Sequence, residues 1–95
     1  MNLSGNLAFT MAELNESYIE GTLCEYINEA LEIEYTMNLS GDLRSVKILV
    51  TFGDPGIYIN TGTGKIEAYS NGEYDEVKIT YEVIEEIENI IINMI

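Results

Sequence analysis

The sequence "IEYTMNLSGDLRSVKILVTF", residues 33–52, predicts paired β-strands, because apolar residues recur at every second position on both sides of a turn sequence. A period of two is typical of a strand with one buried face. Ser40, Gly41 and Asp42 tolerate left-handed backbone or bond their own main chain, so they predict a hairpin loop between two antiparallel strands. The expected buried positions are Ile33, Tyr35, Met37, Leu39, Val46, Ile48, Val50 and Phe52.

Turn sequences further along the chain predict that the sheet continues beyond this hairpin. "GDPG" at residues 53–56 combines a fixed proline φ with permissive glycines, and "TGTG" at 61–64 separates two short apolar runs. Asn71-Gly72 is a strong signal for a two-residue hairpin turn. We therefore expect further strands at residues 57–60, 65–70 and about 74–79.

The last sixteen residues return to the helical period. Glu82, Glu85, Glu86 and Asn89 fall outside the apolar arc at 100° per residue. Thr80 is the predicted N-cap, and Glu82 suits the positive end of the helix dipole. The apolar arc comprises Val83, Ile84, Ile87, Ile90, Ile91 and Met94.

A second helix is predicted near the N-terminus. Ser17 and Glu20 have the spacing of a capping box, which predicts a helix from Tyr18 to about Leu31. Thr10-Met11-Ala12-Glu13 has the same spacing, so either a short preceding turn or one longer bent helix remains open. An irregular segment over residues 1–16 is also compatible with the sequence.

This order of elements predicts an α+β fold, with a four- or five-stranded antiparallel sheet and an N-terminal and a C-terminal helix packed on one face. Ninety-five residues are enough for one core, so we expect a single domain over residues 1–95. "MNLSGNL" at 1–7 nearly repeats "MNLSGDL" at 37–43, but the following residues lose the match. We therefore interpret the repeat as shared turn chemistry rather than duplication, and the first copy remains unassigned.

Composition excludes several classes of function. A net charge of −13 disfavours direct binding of nucleic acid or membranes and favours basic partners, while 46% hydrophobic residues argue against disorder. One cysteine, Cys24, and no histidine leave no disulfide, no Cys/His metal cluster and no Cys-His nucleophile pair. We expect no cofactor, no metal and no catalysis. Because no apolar run is long enough for a membrane span and no signal peptide is recognisable, we expect a soluble cytoplasmic protein.

Two glycine-containing loops invite ligand-binding interpretations that their spacing does not support. "NTGTGKIE" has Ile59 where a phosphate loop needs its first glycine, and Ile66 where it needs Ser or Thr. "GDPGIYIN" has Gly56 and Tyr58 where a calcium loop needs oxygen ligands. A hairpin turn is the preferred interpretation of both.

The distribution of charge provides the candidate binding residues. Residues 1–34 carry seven glutamates and residues 80–95 carry four, with no Lys or Arg in either range. Carboxylates three or four residues apart on a helix are about 5–6 Å apart at Cβ, which is comparable with the spacing of phosphates along a nucleic acid strand. Mimicry of nucleic acid and solubility alone both remain open. The candidates for partner contact are Glu25, Glu29, Glu82, Glu85 and Glu86.

Tyr58 and Tyr69 are out of phase with the apolar positions of their strands, so we expect both on the open face of the sheet. Exposed tyrosines are common at protein interfaces. A second packed layer over this face would explain them equally well.

Residues 31–52, "LEIEYTMNLSGDLRSVKILVTF", and 57–91, "IYINTGTGKIEAYSNGEYDEVKITYEVIEEIENII", resemble small acidic proteins encoded by phages and mobile elements of low-GC bacteria, among them anti-CRISPR proteins. The resemblance lies in size, charge and order of elements over about the last three quarters of the chain. It implies an inhibitor in the host bacterial cytoplasm that occupies a DNA-binding or PAM-reading surface of a CRISPR effector.

The sequence therefore predicts a non-catalytic DNA mimic whose partner is a basic nucleic-acid-binding protein. The alternative is a regulatory or homodimerising interaction module that uses the sheet-face tyrosines or the apolar C-terminal helix.

Overall fold

A computed structural model describes residues 3–95, and within them the chain forms three helices and five strands. The strands form one antiparallel sheet in the order β1-β2-β3-β4-β5, so the predicted α+β fold is confirmed, with five strands. The elements are α1 Leu3–Glu20, α2 Leu23–Asn28, β1 Glu32–Met37, β2 Leu43–Thr51, β3 Gly56–Asn60, β4 Lys65–Ser70, β5 Glu73–Lys78 and α3 Tyr81–Met94.

The pairing register gives the sheet two chemically different faces. One face carries an apolar row across all five strands, formed by Ile33, Ile48, Ile59, Ile66 and Val77. The three central isoleucines of this row are almost fully buried, and each such burial contributes about 1.5–3 kcal/mol. The residues one position along each strand point to the opposite face, which is therefore the open side of the sheet.

The helices cover the apolar face. α1 packs against β4 and β5, α3 packs against β2, and the short α2 contacts both of the other helices. Their buried side chains join those of the sheet in one hydrophobic cluster. The helical contribution to this cluster is Leu3, Leu7, Leu14, Leu23, Ile27, Val83, Ile87 and Ile91.

The predicted turns are present, and their side chains explain their geometry. Asn38 accepts hydrogen bonds at Oδ1 from the backbone N–H of Ser40 and of Asp42, at 3.0 and 2.9 Å, which closes the loop between β1 and β2. Asn71 and Gly72 have φ of 49° and 82°, as a type I′ turn requires. The hairpins at both places are therefore confirmed.

The predicted helix from Tyr18 to about Leu31 is wrong at its start and is not continuous. Ser17 lies inside α1 and does not begin a helix, and a separate helix, α2, covers only Leu23–Asn28 of that range. The Ser17 hydroxyl donates to the carbonyl of Leu14 at 2.8 Å, one turn back in the same helix. α1 ends instead at Glu20, and Gly21 follows it with φ of +76°. Gly21 N–H donates to the Tyr18 carbonyl and Thr22 N–H donates to the Ser17 carbonyl, which together form a Schellman cap.

An irregular segment over residues 1–16 is also contradicted from Leu3 onward, because α1 begins there. Thr10 is buried within this helix and donates from Oγ1 to the carbonyl of Asn6, so it is not a cap either. Residues 3–7 of the first copy are thus helical, so shared turn chemistry does not describe this copy, whereas the second copy runs from the last residue of β1 through a turn to the first residue of β2. Met1 and Asn2 lie outside the described residues.

Several apolar positions predicted to be buried are exposed, and two of them lie beyond the ends of their strands. Leu39 and Phe52 follow the last residues of β1 and β2, and Phe52 is 82% exposed. A register shift between Leu49 and Thr51 also interrupts the alternation of β2. Met94 at the end of α3, and Tyr35 and Met37 on β1, are exposed as well.

Thr80 is the N-cap of α3, as predicted, and its carbonyl accepts the N–H of Ile84 at 3.1 Å. Within the described chain its hydroxyl makes no capping hydrogen bond. The predicted arc of α3 is buried at Val83, Ile87 and Ile91.

Candidate functional site

The helices carry one sign of charge. Together with the C-cap of α2 they contain nine glutamates and no Lys or Arg, whereas all four basic residues of the chain lie in the strands. We call these glutamates the acidic helix layer. Its members are Glu13, Glu16, Glu20, Glu25, Glu29, Glu82, Glu85, Glu86 and Glu88; all are exposed except Glu88, which is half-buried.

The fold determines which way the predicted glutamates point. Burial of Val83 and Ile87 against the sheet turns Glu82, Glu85 and Glu86 of α3 to solvent. The same holds on α2, where Leu23 and Ile27 are buried while Glu25, and Glu29 at the C-cap, are exposed. All five side chains are therefore accessible to a partner.

A groove of about 480 Å³ separates α3 from the junction of α1 and α2. Glu86 lies on its rim, across from Cys24 of α2, and the exposed Ile19 contributes apolar surface. The groove therefore places Glu86 of α3 alongside α2, the helix that carries Glu25. It does not reach Tyr58 or Tyr69, which lie on the opposite side of the sheet.

No cation of the chain neutralises the acidic helix layer within residues 3–95. The ion pair in this part of the chain joins Lys65 to Glu76 on the open sheet face. The glutamates of α3 therefore face like charges at a spacing of three and four residues, which weakens a helix by a few tenths of a kcal/mol per pair.

The open sheet face carries a cluster of three tyrosines, Tyr58, Tyr69 and Tyr74, which we call the tyrosine ledge. Tyr69 and Tyr74 are directly paired across β4 and β5, and their ring centroids are 4.8 Å apart. The Tyr58 and Tyr69 rings meet edge to face at 6.0 Å. Lys47 Nζ lies 4.3 Å from the centroid of the Tyr58 ring, in cation–π contact.

Hydrogen bonds hold the ledge in place. The Tyr74 hydroxyl donates to Glu76 Oε1 at 2.7 Å, and Lys65 pairs with the same carboxylate. The hydrogen bond from Lys65 and then that from Tyr74 lower the pKa of Glu76. The bond to Glu76 in turn raises the pKa of Tyr74, while burial and nearby Glu67 raise that of Tyr69. Both phenols therefore remain neutral hydrogen-bond donors at physiological pH.

The expected position of Tyr58 and Tyr69 on the open face is confirmed, and within residues 3–95 no second layer of this chain covers them. Sequence reasoning missed Tyr74 and Lys47. The signal for Tyr74 was present, because a two-residue turn at Asn71-Gly72 places Tyr74 opposite Tyr69.

The "TGTG" segment is a hairpin turn in which Asn60 uses the amides that a phosphate would need. Its Oδ1 accepts the N–H of Gly62 at 2.9 Å, and its carbonyl accepts the N–H of Gly64 at 2.9 Å. Among residues 3–95, no three Cys, Asp or Glu side chains converge as metal ligands.

No family model, curated protein or solved structure matches this chain. In the described part of the chain, no helix has both the length and the apolar character needed to cross a membrane.

Proposed function

We propose that this protein is a non-catalytic inhibitor that presents its acidic helix layer to a basic, nucleic-acid-binding protein. The observation that carries the proposal is the segregation of charge: every glutamate of the helices and of the α2 C-cap lies without a basic residue in the same elements. A surface of one sign steers a partner of opposite sign and excludes partners of like sign.

Within residues 3–95 the helix glutamates form no ion pairs, which supports binding over solubility alone. Mixed charges would also keep the chain soluble and would stabilise the helices through pairs four residues apart. The chain instead keeps like charges at that spacing on α3, at Glu82, Glu85 and Glu86. Unpaired carboxylates on a rigid helix are preorganised for Arg and Lys side chains of a partner.

The resemblance to anti-CRISPR proteins makes a CRISPR effector the first partner to test, with inhibition in the cytoplasm of the host bacterium. In this proposal the carboxylates occupy the channel or PAM-reading surface that DNA would otherwise contact. Binding of the protein and binding of DNA to the effector are therefore mutually exclusive.

Affinity capture from cells that express several CRISPR effectors tests this proposal. We expect an effector to be retained, to be released by DNA, and to bind more weakly as salt rises, because exposed charges are screened within about 8–10 Å at physiological ionic strength. Capture that is insensitive to both DNA and salt would contradict the mimic.

The tyrosine ledge favours a second function, an interaction module that uses the open sheet face. Tyr69 and Tyr74 are 43% and 46% exposed, and the exposed Phe52 lines a shallow pocket together with Tyr58 and Tyr69. Exposed aromatic residues of this kind are enriched at protein interfaces. The end of α3 provides a further apolar surface for a homodimer, at Ile92, Met94 and Ile95. Sedimentation of a monomer at high concentration and low salt would exclude the homodimer.

A further inference from the structure

Strand β1 has a free edge, because it lies at one end of the sheet and among residues 3–95 it pairs with β2 alone. Val46 of β2, which lies opposite Tyr35, donates its N–H to the Thr61 hydroxyl and accepts the Thr61 N–H, so its backbone groups face β3. Asn38 N–H donates to the Asp42 carbonyl across the β1–β2 loop, so residue 38 faces β2. Because these directions alternate along a strand, the N–H and C=O groups of the odd-numbered residues of β1 point to the free edge.

The odd-numbered residues of β1 also carry its apolar side chains, which the helices leave partly uncovered. Tyr35 lies on the helix side of the sheet, because its partner on β2 is the buried Val46. It is nevertheless 47% exposed, and Met37 is 42% exposed. Unpaired backbone groups and exposed apolar side chains therefore occur together along this edge, a combination that favours pairing with a further strand.

The other edge of the sheet is better protected against such pairing. Four of the six residues of β5 are charged, and charged side chains on an edge strand oppose pairing with another chain. β1 has two charged residues, Glu32 and Glu34, and contains no proline or lysine. The bulge in the first hairpin places its extra residue, Arg44, in β2, so β1 itself remains regular.

The sequence of β1 is self-complementary when two copies pair antiparallel about a two-fold axis at Tyr35. Tyr35 then lies opposite Tyr35 of the second copy, and Ile33 lies opposite Met37, so apolar side chains meet along the helix side. Glu34 lies opposite Thr36, which is uncharged. An axis at Ile33 or Glu34 would instead place carboxylates directly opposite each other, which destabilises a strand pair.

We propose that β1 pairs in this register with β1 of a second copy, which joins the two five-stranded sheets into one continuous sheet. The match of the edge with itself after a two-fold rotation carries the choice of a second copy, because an interface between identical chains requires it. The axis is perpendicular to the sheet, so the acidic helix layers of both copies lie on the same side.

This inference goes beyond the functions proposed above, because the pairing uses neither the acidic helix layer, the tyrosine ledge nor the end of α3. Either proposed function can fail while the edge pairing remains, and the edge pairing can fail while a dimer through α3 remains.

Sedimentation equilibrium of the intact protein at about 0.15 M salt, which screens repulsion between the acidic copies, tests the association. We expect the wild type to dimerise. Tyr35→Glu places two carboxylates opposite each other at the axis and should weaken the dimer about tenfold. Ile92→Glu is the matched control, because it adds the same charge at an exposed position of α3 and should leave dimerisation unchanged. A wild type that is monomeric at about 1 mM protein, or an equal or larger loss in Ile92→Glu, would overturn the proposal.

Disulfide cross-linking locates the axis and does not depend on the stability of Tyr35→Glu. In a Cys24→Ser background, Tyr35→Cys places two thiols in a directly opposed pair with Cα atoms about 5.5 Å apart, within reach of a disulfide. Thr36→Cys is the control, because its two copies are offset by two residues and their Cα atoms lie about 8 Å apart, beyond that reach. We expect oxidation to give a covalent dimer of Tyr35→Cys alone. No dimer of Tyr35→Cys, or equal cross-linking of both variants, would contradict this register.

Discussion

Ile87 lies at the centre of the face that α3 buries against the sheet, with 0% of its surface exposed. Truncation to alanine removes three buried carbon groups and leaves a cavity. We expect Ile87→Ala to lower the free energy of unfolding by about 2–5 kcal/mol, measured by urea denaturation. Ile92→Ala is the matched control in the same helix, and since Ile92 is exposed its loss should be about 0.5 kcal/mol or less. Similar losses at both positions would contradict the helix phase.

Tyr26 presents the opposite case, a polar atom that the fold does not satisfy. Its hydroxyl is buried and has no hydrogen-bond partner among residues 3–95. Tyr26→Phe should therefore leave the free energy of unfolding at pH 7 unchanged or raise it by up to about 1 kcal/mol. A clear loss of stability would show that the hydroxyl has a partner.

The same residue predicts a pH dependence at alkaline pH. Burial, and secondly Glu13, raise the pKa of Tyr26 to about 12, from 10.0 in the unfolded chain. A raised folded-state pKa stabilises the protein below pH 10, and this contribution is lost as pH rises from 10 to 12. Denaturation between pH 9 and 12 should show wild type losing more stability than Tyr26→Phe. Parallel curves for the two proteins would contradict this.

At the scale of elements, the strands were more predictable than the N-terminal helices. Each strand is bounded by turn residues with local chemistry, such as Asn38 in the first hairpin and Asn71-Gly72 in the last, so the meander follows from short-range signals. The hydroxyl of Ser17 fits a helix interior as well as a cap, and only packing decides between them. Gly21 was the signal that a correct boundary required.

Gly21 also provides a test of this boundary. Its φ of +76° is unfavourable for residues with a Cβ, although no atom lies within 4 Å of the place where a Cβ would stand. Gly21→Ala should therefore destabilise the protein by about 1–2 kcal/mol through backbone strain alone. Gly21→Asn should cost less, because asparagine tolerates this conformation. Equal stability of Gly21→Ala and wild type in thermal unfolding would contradict the Schellman cap.

The candidate sites, like the elements, were predictable only where a local sequence pattern determines their structure. The exposure of Glu82, Glu85 and Glu86 was predictable, because the apolar period of α3 is long and regular. The contacts of Asp54 with Ser70 and Asn71 were not, since they join a loop to a hairpin 16 and 17 residues away in sequence. Such contacts depend on sheet register and loop path, which no local pattern specifies.

At the scale of the whole molecule, the structure has two surfaces of different character. The acidic helix layer lies on one side of the sheet, and the tyrosine ledge with three lysines, Lys47, Lys65 and Lys78, lies on the other. Under the proposed function, a basic partner recognises the position of the helix glutamates rather than the net charge of −13.

The most direct test reverses Glu82, Glu85 and Glu86 to lysine and measures binding to, and inhibition of, an effector retained in the capture experiment. The matched control reverses Glu32, Glu34 and Asp42, which are exposed on β1 and its turn, so both variants change the net charge equally. With native folds verified by circular dichroism, we expect the α3 variant to lose inhibition, at about 2–5 kcal/mol per desolvated contact, while the control retains it. If the α3 variant still inhibits the effector, or if both variants lose inhibition equally, binding through the α3 glutamates is contradicted.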